Sequence, residues 1–142
     1  MVSSAAGVSP CFGVSQCFPL MCGGHDSNGD SLSNCWRLEP FGKWIEFQNM
    51  LEKRDNFTIN GIEEHIIVIG GSQTTQNGKR ALTHVEKCNS SKRWIRAADL
   101  PEPLYLHCTV NINKTTLMVV GGKNNREVDL YFKCRFSLII YS

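Results

Sequence analysis

Short apolar runs, each ended by a pair of glycines, set the pattern of this chain. Leu20-Met21-Cys22, Ile66-Ile67-Val68-Ile69 and Leu117-Met118-Val119-Val120 stop at Gly23-Gly24, Gly70-Gly71 and Gly121-Gly122. The pairs recur 47 and 51 residues apart, and Trp44 and Trp94 keep step with them at a spacing of 50. Two markers in phase identify an internal repeat. The runs do not alternate with polar residues, so they predict strands covered on both faces, as when sheets stack face to face.

The middle unit reads as strands with no helix. Phe57 to Ile62 is a first strand, Glu63-Glu64 a turn, and His65 to Ile69 a second strand closed by Gly70-Gly71. Polar Ser72 to Lys79 reads as a loop turning at Asn77-Gly78. Thr83 to Lys87 is a third strand, Asn89 to Lys92 a turn, and Trp94 to Ala97 a fourth. The expectation is four antiparallel strands per repeat.

These residues resemble the kelch repeat, the four-stranded blade of one class of β-propeller, whose period is near 50. The match runs through Ile66 to Gly71, Val85 to Cys88, Trp94 and Leu100-Pro101, with an earlier copy in Leu20 to Gly24, Cys35 to Leu38 and Trp44. A third copy has Leu117 to Gly122 and Val128 to Tyr131 but no tryptophan after them. The fold class expected is therefore all-β, with kelch-type blades of four antiparallel strands in an incomplete ring. Repeats span 19–132, as 19–53, 54–103 and a partial 104–132; a poorly structured segment, 1–18, precedes them and an atypical tail, 133–142, follows. That tail is not expected to pack as a standard outer strand. Gly23, Gly24, Gly70, Gly71, Gly121 and Gly122 permit close backbone approach, and Trp44 and Trp94 are expected to fill wedges between blades.

Closed propellers have 4 to 8 blades, which at this period takes about 200 to 400 residues. The chain has 142. It reads as a fragment of a longer kelch protein, or as a chain that needs further blades from another chain to close its ring.

Composition narrows the partners. With 42% hydrophobic and 20% charged residues the chain is an ordinary folded domain. A net charge of +2 argues against nucleic acid as partner. No apolar run approaches the roughly 18 residues of a membrane span, and Met1 to Val14, without Lys or Arg, makes a poor signal peptide.

Seven cysteines, an odd number, leave at least one thiol free or paired with another chain. Cys22 and Cys35 stand on neighbouring strands, where either a disulfide or two buried thiols fits. Cys11, Cys17, Cys22 and His25 match no common zinc spacing, so no metal is expected. Three sequons, at Asn56, Asn89 and Asn113, are candidate glycosylation sites. Sequons and cysteines favour a secreted or cell-surface parent, whereas the resemblance favours an intracellular one, and the compartment stays nearly even.

No catalytic motif or cofactor signature is present: the glycine pairs belong to no phosphate-cradling pattern, and His25, His65, His84 and His107 to no nucleophile or metal motif. The resemblance brings in copper radical oxidases as the less favoured enzyme class, whose tyrosine, cysteine and histidine ligands an incomplete ring would not converge. Protein binding remains as the expected function. The resemblance implies substrate recruitment to ubiquitin ligases, or actin binding, for a longer parent. Candidate partner loops carry His25 and Asp26, Lys79 and Arg80, and Lys123 and Arg126, since propeller loops gather at the ends of the ring.

Overall fold

The computed structural model describes residues 3–6, 11–12, 16–62, 65–89, 91–125 and 134–139, with side chains described over 18–62, 65–89 and 91–125. Every regular element among them is a strand. The first sheet joins β1 (Ser3–Ala6), β4 (Leu20–His25), β5 (Cys35–Leu38) and β6 (Trp44–Phe47) in that order. A second joins β7 (Thr58–Ile62), β8 (His65–Ile69), β11 (Val85–Cys88) and β12 (Trp94–Arg96). The third joins β13 (Tyr105–Asn111), β14 (Thr116–Lys123) and β15 (Cys134–Ile139). All these pairings are antiparallel and join strands that follow one another within their own sheet, with the β2–β3 segment intervening between β1 and β4 and residues 70–84 between β8 and β11, so each sheet is a meander and the arc of three is not closed.

Stacking explains the unbroken apolar run of β8. Successive strand residues point to opposite faces. Ile66 and Val68 join Leu20, Cys22, Phe47 and Trp94 in a core between the first two sheets, whereas Ile67 and Ile69 join Val85, Leu104, Leu117 and Val119 in a second core between sheets two and three. All four β8 side chains from Ile66 to Ile69 are completely buried. A sheet wet on one side would have interrupted the run with polar residues.

The glycine pairs mark where the chain enters the next sheet. Gly71 donates its N–H to the Leu104 carbonyl at 2.8 Å, as Gly24 does to that of Arg54 at 3.0 Å. A Cβ on Gly70 would lie 2.5 Å from the Leu104 oxygen, and one on Gly23 equally close to that of Arg54. Both pairs also hold positive φ. The incoming connector thus lies directly on the glycines, and only residues lacking a side chain leave it room.

Several readings change in detail. Segment 1–18, expected to be poorly structured, supplies β1 as the first strand of the first sheet, together with the small hairpin of β2 (Cys11–Phe12) and β3 (Gln16–Cys17). Ser72 to Lys79 is not a loop: β9 (Ser72–Thr75) and β10 (Gly78–Ala81) form a hairpin about Gln76-Asn77, and alternating polar residues gave no sign of it because both its faces are polar. In the tail, Cys134–Ile139 pairs with β14 in the third-strand position. Val128 to Tyr131, read as that third strand, lie outside the described residues.

The tryptophans separate. Trp94 is buried and donates its indole N–H to the Gln48 carbonyl at 2.8 Å, filling the wedge between sheets one and two. Trp44, expected in the same role, is 45% exposed. Its register partner Leu38 corresponds to Cys88, the partner of Trp94, so both indoles face backwards along the arc. Behind Trp94 stands sheet one.

Candidate functional site

In a meander, alternate connections lie at the same end. The segments after the three glycine pairs (residues 25–34, the β9–β10 hairpin and 123–125) therefore share one end of the arc with the connectors 48–57 and 98–104. Hydrogen bonds tie them in a row. Ser31 donates its N–H to the Thr74 carbonyl at 2.9 Å and its hydroxyl oxygen accepts the Thr74 N–H at 2.7 Å. On the other side Ala81 donates to Asn125 Oδ1 at 2.7 Å. The three segments make one continuous polar surface.

Beneath it lies a buried polar knot. Asp55 accepts from the Ser31 hydroxyl at 2.9 Å, from the Asn56 carboxamide at 2.7 Å and from the Ser72 hydroxyl, and the Asp55 and Ser72 backbones pair with each other. Every oxygen of this carboxylate has a partner, which offsets the cost of burying it. Close by, the fully buried Arg54 pairs with the fully buried Glu86 and donates to the Gly70 and His84 carbonyls at 2.8 and 2.9 Å. Glu86 also accepts the Leu51 and Glu52 N–H groups. Burial lowers the Arg54 pKa, and Glu86 opposes that shift. The two clusters clamp the connector between sheets one and two, and with it the loop end.

Sequence reasoning missed both clusters. A usable signal was present: Glu86 stands opposite Val68 at an inward-facing register position, where an unpaired charge would be untenable. It implied a buried cation nearby.

The proposed contact residues are placed unevenly. Asp26 is committed to its own turn, accepting the Asn28 and Asp30 N–H groups at 2.8 and 3.0 Å. His25 is half-buried at the loop base, bridged to Ser31. Lys79 and Arg80 lie on β10 and are exposed: the Lys79 ammonium sits 4.7 Å above the Tyr105 ring, and Arg80 donates to Gln73 at 2.9 Å. Lys123 is half-buried at the end of β14. Arg126 lies outside the described residues.

The sequons also differ. Asn56 donates its carboxamide nitrogen to Asp55 and Ser72. Among the described residues, Asn89 and Asn113 engage their side-chain oxygens as acceptors in tight turns. Cys22 and Cys35, directly opposed in register with Cα atoms 4.1 Å apart, form a disulfide. Cys88 is a buried thiol that burial pushes up to about 12, and Cys108 is exposed. His107 packs at the junction of sheets two and three, 3.1 Å from the Thr58 hydroxyl, and burial lowers its pKa to about 4. Among the described residues no three His, Cys, Asp or Glu side chains gather in a metal-holding group.

No family model matches the chain. Kelch-like protein 36 of Bos taurus is 31% identical over 118 residues, covering 79% of this chain and 18% of the relative. The Rattus norvegicus and Mus musculus proteins of that name are each 30% identical over the same length and shares. The chain thus spans less than a fifth of these relatives. Among solved structures, that of YjhT superposes with a TM-score of 0.67 at 20% identity, covering 88% of this chain and 35% of the other, a likeness of fold.

Proposed function

We propose that this chain, which belongs to the kelch-repeat β-propellers, meets a protein partner at the end of the arc formed by residues 25–34, the β9–β10 hairpin and residues 123–125, as a non-enzymatic interaction module. The observation that carries this is the row of hydrogen bonds joining three loop-end segments into one surface. Rigid scaffolds that present variable polar segments side by side are well suited to recognition. Lys79 and Arg80 are its exposed cations, and neither is within ion-pair distance of a described carboxylate.

Affinity capture with the natural protein tests the site. Reversing Lys79 and Arg80 to Glu should abolish recovery of the bound partner. Lys43→Glu, in the turn at the opposite end, should leave it intact. Equal recovery by both variants would refute this placement. Ubiquitin-ligase subunits among the captured proteins would support the finer reading, the substrate-recruiting part of a ligase adaptor.

The Cys22–Cys35 disulfide favours a second reading, a secreted or cell-surface kelch protein, because such bonds persist in oxidising compartments. Mass spectrometry of native material, for that bond and for glycan on Asn89 or Asn113, decides between the two. Free thiols on both cysteines with no glycan would exclude it.

A further inference from the structure

We propose that Asn77-Gly78, at the tip of the β9–β10 hairpin, is a self-modifying site: Asn77 deamidates through a succinimide and leaves beside Lys79 and Arg80 a carboxylate that weakens capture of the protein partner. The effect on capture rests on the partner surface described above; the chemistry does not.

Asn-Gly occurs three times, as Asn28-Gly29, Asn60-Gly61 and Asn77-Gly78. The fold treats the three differently. Asn60 is buried inside β7 and donates its carboxamide to the Thr109 hydroxyl at 2.7 Å, while Gly61 is paired with Ile66. Asn28 is exposed, but its turn is cross-tied. Gly29 donates its N–H to the Asp26 carbonyl at 3.1 Å, Asp26 donates to the Asp30 carbonyl at 3.0 Å, and the Asp26 carboxylate holds the Asn28 and Asp30 N–H groups. Asn77 is exposed as well, with its backbone N–H on the Thr75 hydroxyl at 3.2 Å. Among the described residues its carboxamide has no hydrogen-bond partner. A Cβ on Gly78 would meet nothing within 4 Å, so the Gly78 nitrogen is open to approach.

The hairpin supplies the freedom to react. It is a sheet of two strands, and Thr75 opposite Gly78 is its last rung. Two strands alone are marginally stable, and an end rung opens at little cost. Hydrogen bonds place the hairpin between the segments that follow sheets one and three, so sheets added at either end of the arc would not cover it.

In the opened turn the Gly78 nitrogen attacks Asn77 Cγ. The new bond closes a succinimide, the bond from Cγ to the carboxamide nitrogen breaks, and that nitrogen leaves as ammonia with the Gly78 proton. Water then opens the ring. Cleavage of the new bond gives an ordinary aspartate, and cleavage of the original peptide bond gives isoaspartate, whose main chain runs through the side-chain carbon. Nothing is oxidised or reduced, and water is the co-reactant. The extra methylene of isoaspartate does not fit a two-residue turn without disturbing the register of β10, which carries Lys79 and Arg80. Either product places a negative charge next to those cations and opposes a partner that they attract.

Ageing the natural protein at mildly alkaline pH, where the amide nitrogen deprotonates more readily, tests the proposal. Peptide mapping locates the product, and methyl transfer from S-adenosylmethionine by a protein-isoaspartate methyltransferase reports it. Isoaspartate should accumulate at Asn77 several-fold faster than at Asn28 and be absent at Asn60, with partner capture falling as it rises. Asn77→Gln, whose longer side chain must close a larger ring, should stay unmodified and keep its capture through ageing. Freshly made Asn77→Asp should capture less from the outset. An unconverted Asn77, or faster conversion at Asn28, would overturn the site. Undiminished capture by Asn77→Asp or by converted protein would overturn its effect on binding. Fresh protein that captures nothing would sink the interaction module, and the peptide map would still decide the chemistry at Asn77.

Discussion

At Gly70 a methyl group has no place to go: it would lie 2.5 Å from the Leu104 carbonyl, on a backbone with φ of +55°. Gly70→Ala should cost at least about 2 kcal/mol in urea unfolding, whereas Gly42→Ala, at positive φ but with open space around it, should cost less. His107 sets a pH dependence. Its folded pKa, about 4, lies below the unfolded value of 6.5, so between those values the unfolded chain holds the extra proton. Stability is complete above about pH 6.5 and falls by up to roughly 3 kcal/mol as pH drops towards 4. Thermal melts of His107→Asn should lack that slope, and an unchanged slope would place the titration elsewhere.

Among the elements, the connector 48–57 depends on a charge pair that has left water. Removing one partner of such a pair strands the other and typically costs about 3–5 kcal/mol. Glu86→Leu alone should therefore unfold the chain at markedly lower urea, and Arg54→Met with Glu86→Leu should recover most of the loss. Two single effects that simply add would disprove the coupling. This pair also shows how far the sequence could be read. The strands of sheet two were legible because stacking on both sides demands a continuous apolar run, and the glycine pairs because a carbonyl lies on them. Arg54 and Glu86 carried no such periodic mark: the corresponding connector residue in the next repeat is Leu104, so the pair is an exception inside the repeat. The β9–β10 hairpin escaped for the opposite reason. Its strands bury little, and without a buried face no alternation records them.

On the scale of the whole arc, junctions matter more than sheets, since a solenoid-like array holds together through nearest-neighbour interfaces. The tryptophans allow that to be measured, because they share a register position and differ in exposure. Trp94→Ala empties the wedge between sheets one and two and removes the bond to the Gln48 carbonyl, so it should cost about 3–5 kcal/mol. Trp44→Ala, with 45% of its surface already in water, should change the unfolding midpoint little. Equal losses for both variants would mean that Trp44 is packed as tightly as Trp94, against its 45% exposure.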